Sequence, residues 1–352
     1  MNVVDAAVNL VDKVARGGVA DLTRMPRDGV VGSPGATLYR YRPLPGVPRA
    51  DEPPVLLVPP LGAPDFAYDL RRGCSLVEHL LAGGRDVFGV DYGSISFADR
   101  RLGLENWVDG VVPRAVRDTC VEAGVDELDL VGWCLGGLFC LLAVAAQAQA
   151  GTPLPVRRLG VIASPVDIAA VPLVAPLRPL AAVMGGRGLS AAYRAIGSFP
   201  APVVSWAFQL TAVDKLVTKP LTLASKLDDR DALAQIEAVD HLMRNMHGYP
   251  GRAFGQIYHL MLRNNDLAGG TIDLGGRTIR LSAVEVPVLV VAGRSDVIAP
   301  LRAVHRLPDL LTGSPEVRFE SAPGGHLGVL TGRAARGTTW RYLDEFLGDR
   351  VR

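Results

Sequence analysis

The sequence predicts an α/β fold: a mostly parallel central sheet with helices on both faces and an inserted, mainly helical segment. Three observations carry that reading. Short continuous apolar runs such as Val55–Val58 and Leu159–Ala163 have the pattern of strands buried on both faces. Segments of helical spacing alternate with those runs along most of the chain. At Leu128–Phe139 an apolar run passes through Gly132-x-Cys134-x-Gly136-Gly137 into the stretch Cys140–Ala146, which is rich in Ala and Leu, lacks Gly and Pro, and reads as a helix.

The 352 residues are 49% apolar and 21% charged, which suits one domain with a large core and an insertion. A formal net charge of +1 lacks the basic footprint of a nucleic-acid binder. Cys74, Cys120, Cys134 and Cys140 are too few and too scattered for a disulfide framework or a zinc site, and a reduced, cytoplasmic setting is expected. Asp5, Asp12 and Lys13 interrupt the apolar residues that a signal peptide would need. Residues 3–16 are instead expected to form a short amphipathic helix with Val4, Val8, Val11 and Val14 near one face, packing on the body, with membrane or partner contact as the alternative. No run of about 18 uncharged apolar residues occurs, so no transmembrane segment is expected.

Taken in order, residues 26–36 read as loop because they are rich in Pro, Gly and Asp, and Thr37–Arg42 alternates like an edge strand. Val55–Val58 follows as a buried strand ending at Pro59–Pro64. Ser75–Ala82 reads as a helix stopped by Gly83 and Gly84, and Asp86–Asp91 as a strand. Leu104–Ala123 reads as one helix with Trp107, Val111, Ala115 and Val116 on one side. After the strand Leu159–Ala163 the alternation breaks. Pro172, Pro176 and Pro179 exclude a long regular helix over residues 170–184, and residues 185–245 read as helical in pieces. Residues 168–275 are therefore expected to form a cap, its apolar part acting as a lid over a greasy substrate; the alternative is a structural insertion with no gating role. Strands Val286–Gly293 and Val317–Glu320 and a helix over Arg336–Phe346 complete the chain. The domain plan is an N-terminal helix and loop (1–36), a core (37–167 and 276–352) and the cap insertion (168–275).

A nucleophile raised on a strained strand-to-helix turn marks the α/β-hydrolase fold. Gly132 and Gly136 stand two residues to either side of Cys134, where bulky neighbours would collide. Cys134 occupies the apex, where most such proteins have Ser; Cys140 lies inside the helix and reads as core. The expected order in the chain is nucleophile, acid, histidine. Of six histidines, His79, His241, His247, His259 and His305 fall on helices or in the cap, whereas His326 follows the last core strand in a Gly-rich loop. Asp296 directly follows a strand end, where functional groups gather in parallel sheets, although Asp also caps turns there. An oxyanion hole would take one N–H from Leu135 and the other from Leu61 or Gly62, since Pro59 and Pro60 have none to give. The alternative for that loop is a plain proline turn.

Cys134 in Gly-x-Cys-x-Gly-Gly, Asp296 in Gly-x-x-Asp-x-Ile-x-Pro and His326 in Gly-Gly-His-x-Gly-Val together resemble the polyhydroxyalkanoate synthases. Asp69-Leu70 through Ser75-Leu76-Val77, Asp91-Tyr92-Gly93, Ser164-Pro165-Val166-Asp167 and Asn265-Asp266-Leu267 followed by Gly269-Gly270 add to the resemblance, which spans about residues 55–348. The length is similar to the short, class III catalytic subunit of the two-subunit synthases. The resemblance implies that Cys134 attacks a (3R)-hydroxyacyl-CoA thioester and releases CoA, with His326 taking the thiol proton and later that of the attacking hydroxyl. Asp296 would orient His326 and tune that hydroxyl. Acyl-CoA enters as substrate, and no cofactor or metal is called for. A second synthase subunit or a homodimer, and a polymer granule surface, are the partners it implies. The chain departs from the family at Val297, where His is usual, and at Leu301, where Trp is usual. Asp240-His241-Leu242 stands near the place of a frequent Trp, and Trp133 is bulkier than usual beside the nucleophile. Two rival readings use the same fold: an acyltransferase or thioesterase that makes no polymer, and an idle hydrolase-like subunit that binds a partner.

Overall fold

A computed structural model describes residues 2–15, 17–33, 35–172, 198–199 and 221–348. The strands in chain order begin with β1 (Arg27–Ser33), β2 (Ala36–Tyr41), β3 (Val55–Val58), β4 (Val87–Asp91), β5 (Leu128–Trp133) and β6 (Val156–Ile162). Two short pairs follow, β7 (Ser198–Phe199) with β8 (Tyr249–Pro250) and β9 (Thr271–Leu274) with β10 (Arg277–Arg280). The chain then returns through β11 (Val288–Gly293) and β12 (Val317–Ala322). Eight of these strands form one sheet in the order β1-β2-β4-β3-β5-β6-β11-β12. The β1–β2 and β2–β4 pairs are antiparallel, and every pairing from β4 across to β12 is parallel. All residues of β3, β5 and β11 are buried, as strands covered on both faces must be.

The first helix, α1 (Val3–Ala15), forms as expected but docks by the opposite face. Val4, Val8, Val11 and Val14 are exposed, Val14 by 78%, while Asn9 and Asp12 are buried. The reason is polar pairing. Asn9 Nδ2 donates to the Leu227 carbonyl at 2.8 Å, and the Arg230 guanidinium donates to Asn9 Oδ1 and to Asp12. Residues 27–33, expected as loop, are strand β1, so β2 is an inner strand and the sheet starts at Arg27. Backbone pairing with β2, interrupted by a bulge between Gly29 and Val31, makes this strand in a segment whose side chains give no strand signal.

Ser75 caps α2 (Leu76–Ala82), its hydroxyl accepting from the Glu78 N–H at 3.0 Å. The helix expected over residues 104–123 is in two parts: a π-helical turn over Asn106–Val111 and then α3 (Val112–Ala123). Pro113 at the junction has no N–H for a regular ladder. Every residue from Leu135 to Ala146 in α4 (Leu135–Gln149) is buried, so this all-apolar helix lies inside the core against β5 and β6.

Between β6 and β11 no described residue joins the main sheet. That stretch carries α5 (Arg230–Arg244), α6 (Gly251–Gln256) and a π-helical turn at Ile257–Arg263. Its two roots are clamped together. Asn265 Nδ2 donates to Asp167 Oδ1 at 2.8 Å, and the Ile168 N–H donates to Asn265 Oδ1 at 2.7 Å. Asn265 takes the left-handed conformation, φ 63°, that short polar side chains tolerate. The proline-broken lid segment lies, from residue 173 to residue 183, outside the described residues. After β11 come α7 (Leu301–Val304) and α8 (Leu307–Leu310), and after β12 come α9 (Gly328–Thr331) and α10 (Thr339–Gly348). No described helix is long and apolar enough to cross a membrane.

Candidate active site

Cys134 stands between the end of β5 and the start of α4, with φ 55° and ψ −124°. A side chain in that conformation is strained, and the surroundings hold it there. Its N–H donates to the Ile162 carbonyl at 2.8 Å, and its own carbonyl accepts from the Ser164 hydroxyl at 2.7 Å and the Leu138 N–H at 3.2 Å. The glycine frame is tight. A Cβ on Gly132 would come within 2.5 Å of Gly137 Cα, one on Gly136 within 2.3 Å of the Val58 carbonyl oxygen, and one on Gly137 within 2.2 Å of Ser164 Oγ. Gly137 is thus a third required glycine, and Gly136 brings the start of α4 directly against the end of β3.

Asp296 follows β11, and its carboxylate is fully buried. One oxygen, Oδ1, accepts from the Ile298 and Ala299 N–H groups at 2.9 and 2.8 Å. The other, Oδ2, lies 2.8 Å from His326 Nδ1. The loops are tied by Ser295 N–H to the Gly324 carbonyl, 3.1 Å, and by Arg294 N–H to the Ala322 carbonyl, 2.9 Å. With Nδ1 facing Asp296, Nε2 is the ring nitrogen left for the Cys134 sulfur, which lies near enough to act on the imidazole. Burial alone would depress the imidazole. The Cys134 sulfur and the Asp296 carboxylate outweigh burial and raise it to about 10.

Leu135 is the first residue of α4, so its N–H has no carbonyl four residues back inside the helix. Leu61 is buried, and Gly62 has φ +92° with its carbonyl accepting from the His247 N–H at 2.7 Å. Two other histidines have other partners: His79 faces Asp344, and His305 packs edge-on against Phe319.

Three residues at the site carry no sequence signal for the place they take. Trp133 donates from Nε1 to the His326 carbonyl at 3.1 Å and packs against its ring, with centroids 5.1 Å apart. Ser164 grips the Cys134 carbonyl. Tyr249, on β8, lays its ring on Gly62. Trp133 is conspicuous in the sequence only by its bulk and Ser164 only by its motif; Tyr249 shows nothing. Val297, beside the acid, is 52% exposed.

A Cys on a strand-to-helix turn, a buried Asp–His pair from the ends of β11 and β12 and a largely parallel eight-stranded sheet define a protein of the α/β-hydrolase fold. The solved structure of mouse alpha/beta hydrolase domain-containing protein 10 shares that fold, with a TM-score of 0.50 and 15% identity over 92% of this chain and 98% of its own. No family model matches the chain. In sequence, the chain resembles the polyhydroxyalkanoate synthases along most of its length. It is 29% identical to the poly(3-hydroxyalkanoate) polymerase subunit PhaC of Allochromatium vinosum over 316 residues, 89% of this chain and 86% of that one. The proteins of the same name from Thiocystis violacea and Synechocystis are 26% and 28% identical, over 89% and 88% of this chain and 86% and 81% of their own.

Proposed function

We propose that the chain is a polyhydroxyalkanoate synthase-like acyltransferase that polymerises (3R)-hydroxyacyl units from CoA thioesters through Cys134. The observation that supports the proposal is the buried His326–Asp296 pair together with Cys134 on its strained turn, in a chain similar to polymerase subunits over most of its length. Cys134 Sγ attacks the thioester carbonyl while His326 holds the thiol proton. The tetrahedral oxygen is met by the Leu135 N–H and by that of Leu61 or Gly62. The bond to CoA sulfur breaks, and CoA leaves with the proton from His326. The hydroxyl of a second unit then gives its proton to His326 and attacks the Cys134 thioester; an ester forms and the growing chain returns to Cys134. Asp296 keeps the His326 ring in orientation and balances its charge.

The reading implies a cytoplasmic setting and accommodates a second synthase subunit, a homodimer and a granule surface as partners. The test is incubation with (3R)-3-hydroxyacyl-CoA, following CoA release and product mass, alone and with a synthase partner subunit. Expected are CoA release and ester oligomers or polymer, both abolished by Cys134→Ala. Free 3-hydroxy acid as the sole product, with and without the partner, would make the chain a thioesterase. CoA release that survives Cys134→Ala would place the nucleophile elsewhere.

A further inference from the structure

We propose that Tyr249 is a further catalytic residue, whose hydroxyl donates a hydrogen bond to the carbonyl oxygen of the acyl group under transfer at Cys134. This rests on the acyl-transfer reading above and extends it to a residue contributed by the insertion. The first observation is position. The Tyr249 ring lies so close over Gly62 that a Cβ there would come within 2.4 Å of Cε2 and 3.0 Å of the hydroxyl oxygen. Gly62 lies in the loop that offers the second oxyanion N–H, and only a residue without a side chain admits the ring. The placement is anchored on both sides: the His247 N–H holds the Gly62 carbonyl at 2.7 Å, and β8 pairs with β7.

The second observation concerns the hydroxyl. Two other buried tyrosines near the turn are committed to the backbone: Tyr68 donates to the Val58 carbonyl at 2.7 Å and Tyr92 to the Pro59 carbonyl at 2.9 Å. The Tyr249 ring is largely buried, but its hydroxyl makes no hydrogen bond among the described residues and is not one of their sealed, unpaired polar atoms, so it is open to a partner that enters the site. Burial, and after it the nearby Cys134 sulfur, push the phenol up, so it keeps its proton as a donor. The acyl oxygen gains charge as the tetrahedral intermediate forms, so a fixed donor there favours the transition state over the ground state. The proton stays on the phenol throughout; no bond to Tyr249 forms or breaks.

The test compares wild type and Tyr249→Phe in two reactions at the same sulfur. Single-turnover acylation of Cys134 by (3R)-3-hydroxybutyryl-CoA is followed by intact mass. Alkylation of Cys134 by iodoacetamide, which builds no oxyanion, is followed across pH. Expected are acylation slowed by about 10²–10³-fold and an alkylation profile that does not move. Acylation at the wild-type rate would overturn the proposal. So would equal losses in both reactions, because Tyr249 would then act through the thiol or the fold. Absence of acylation in wild type overturns the acyl-transfer reading itself, and the Tyr249 proposal with it; acylated wild type with an unslowed variant overturns the latter alone.

Discussion

At the scale of single residues, His326 is governed by opposed influences. Burial favours the neutral ring, whereas Cys134 and Asp296 favour the charged one and win, raising it from 6.5 to about 10. A histidine whose folded pKa lies above its unfolded value contributes stability in full below about 6.5 and loses that contribution as pH rises through about 10. Titration of ring-labelled histidine by NMR should show one midpoint near 10, lowered in both Asp296→Asn and Cys134→Ala. The same Asp296→Asn variant should turn over about 10²–10⁴-fold more slowly. A midpoint at the ordinary histidine value that neither variant moves would contradict this account. Asp296 also shows that turn capping and a partnership with histidine are compatible, since each carboxylate oxygen serves one of them.

At the scale of elements, α1 separates amphipathic pattern from actual burial. Its valines are outward and its Asn9 is inward, 3% exposed, with both ends of the amide paired. Asn9→Ala leaves the Leu227 carbonyl without its donor and should destabilise the protein by about 1–3 kcal/mol. Val8→Ser on the exposed side should change stability by no more than about 0.5 kcal/mol. Urea unfolding of the two variants decides between this docking and the reverse: a larger loss from Val8→Ser would mean that the apolar face is the buried one. α4 is the opposite case, because a helix apolar all round has no face to choose and must lie inside.

At the scale of the whole molecule, one buried cluster joins β5, β6 and the segment before β4 to the last helix. Asp129, in β5, is fully buried and accepts from Arg85 before β4 and from Arg157 in β6, at 2.9 and 2.7 Å from the latter. Arg157 and Arg85 also donate to the Leu347 carbonyl, and Arg158 to that of Phe346, so the cations meet the carboxyl end of α10. Burial pushes the Asp129 carboxyl up even against both guanidiniums, which marks a pair that is costly to bury and more costly to break. Asp129→Ala leaves Arg85 and Arg157 with Glu52 as their remaining carboxylate and should lower stability by about 1–3 kcal/mol in urea unfolding. Glu345→Gln, which breaks the surface Arg318–Glu345 pair, should change stability far less. Equal effects of the two would show that the cluster is not the clasp described.

The sequence by itself determined the parallel sheet, the Cys134 turn and the positions of Asp296 and His326. Each depends on short-range chemistry: runs of apolar residues, a glycine frame around one strained backbone, and loops directly after strands. The two motifs Ser164–Asp167 and Asn265–Leu267 were also visible, but that they bind each other was not. Only the tertiary structure decided which face of α1 is buried, that residues 27–33 pair as a strand, and that Pro113 divides the 104–123 helix at a π-turn. It alone brought Trp133 to the His326 carbonyl and Tyr249 to Gly62. Periodicity states what a segment is able to bury, whereas the partner that satisfies a buried amide, carbonyl or phenol comes from residues far away in the chain, and their meeting is a property of the fold.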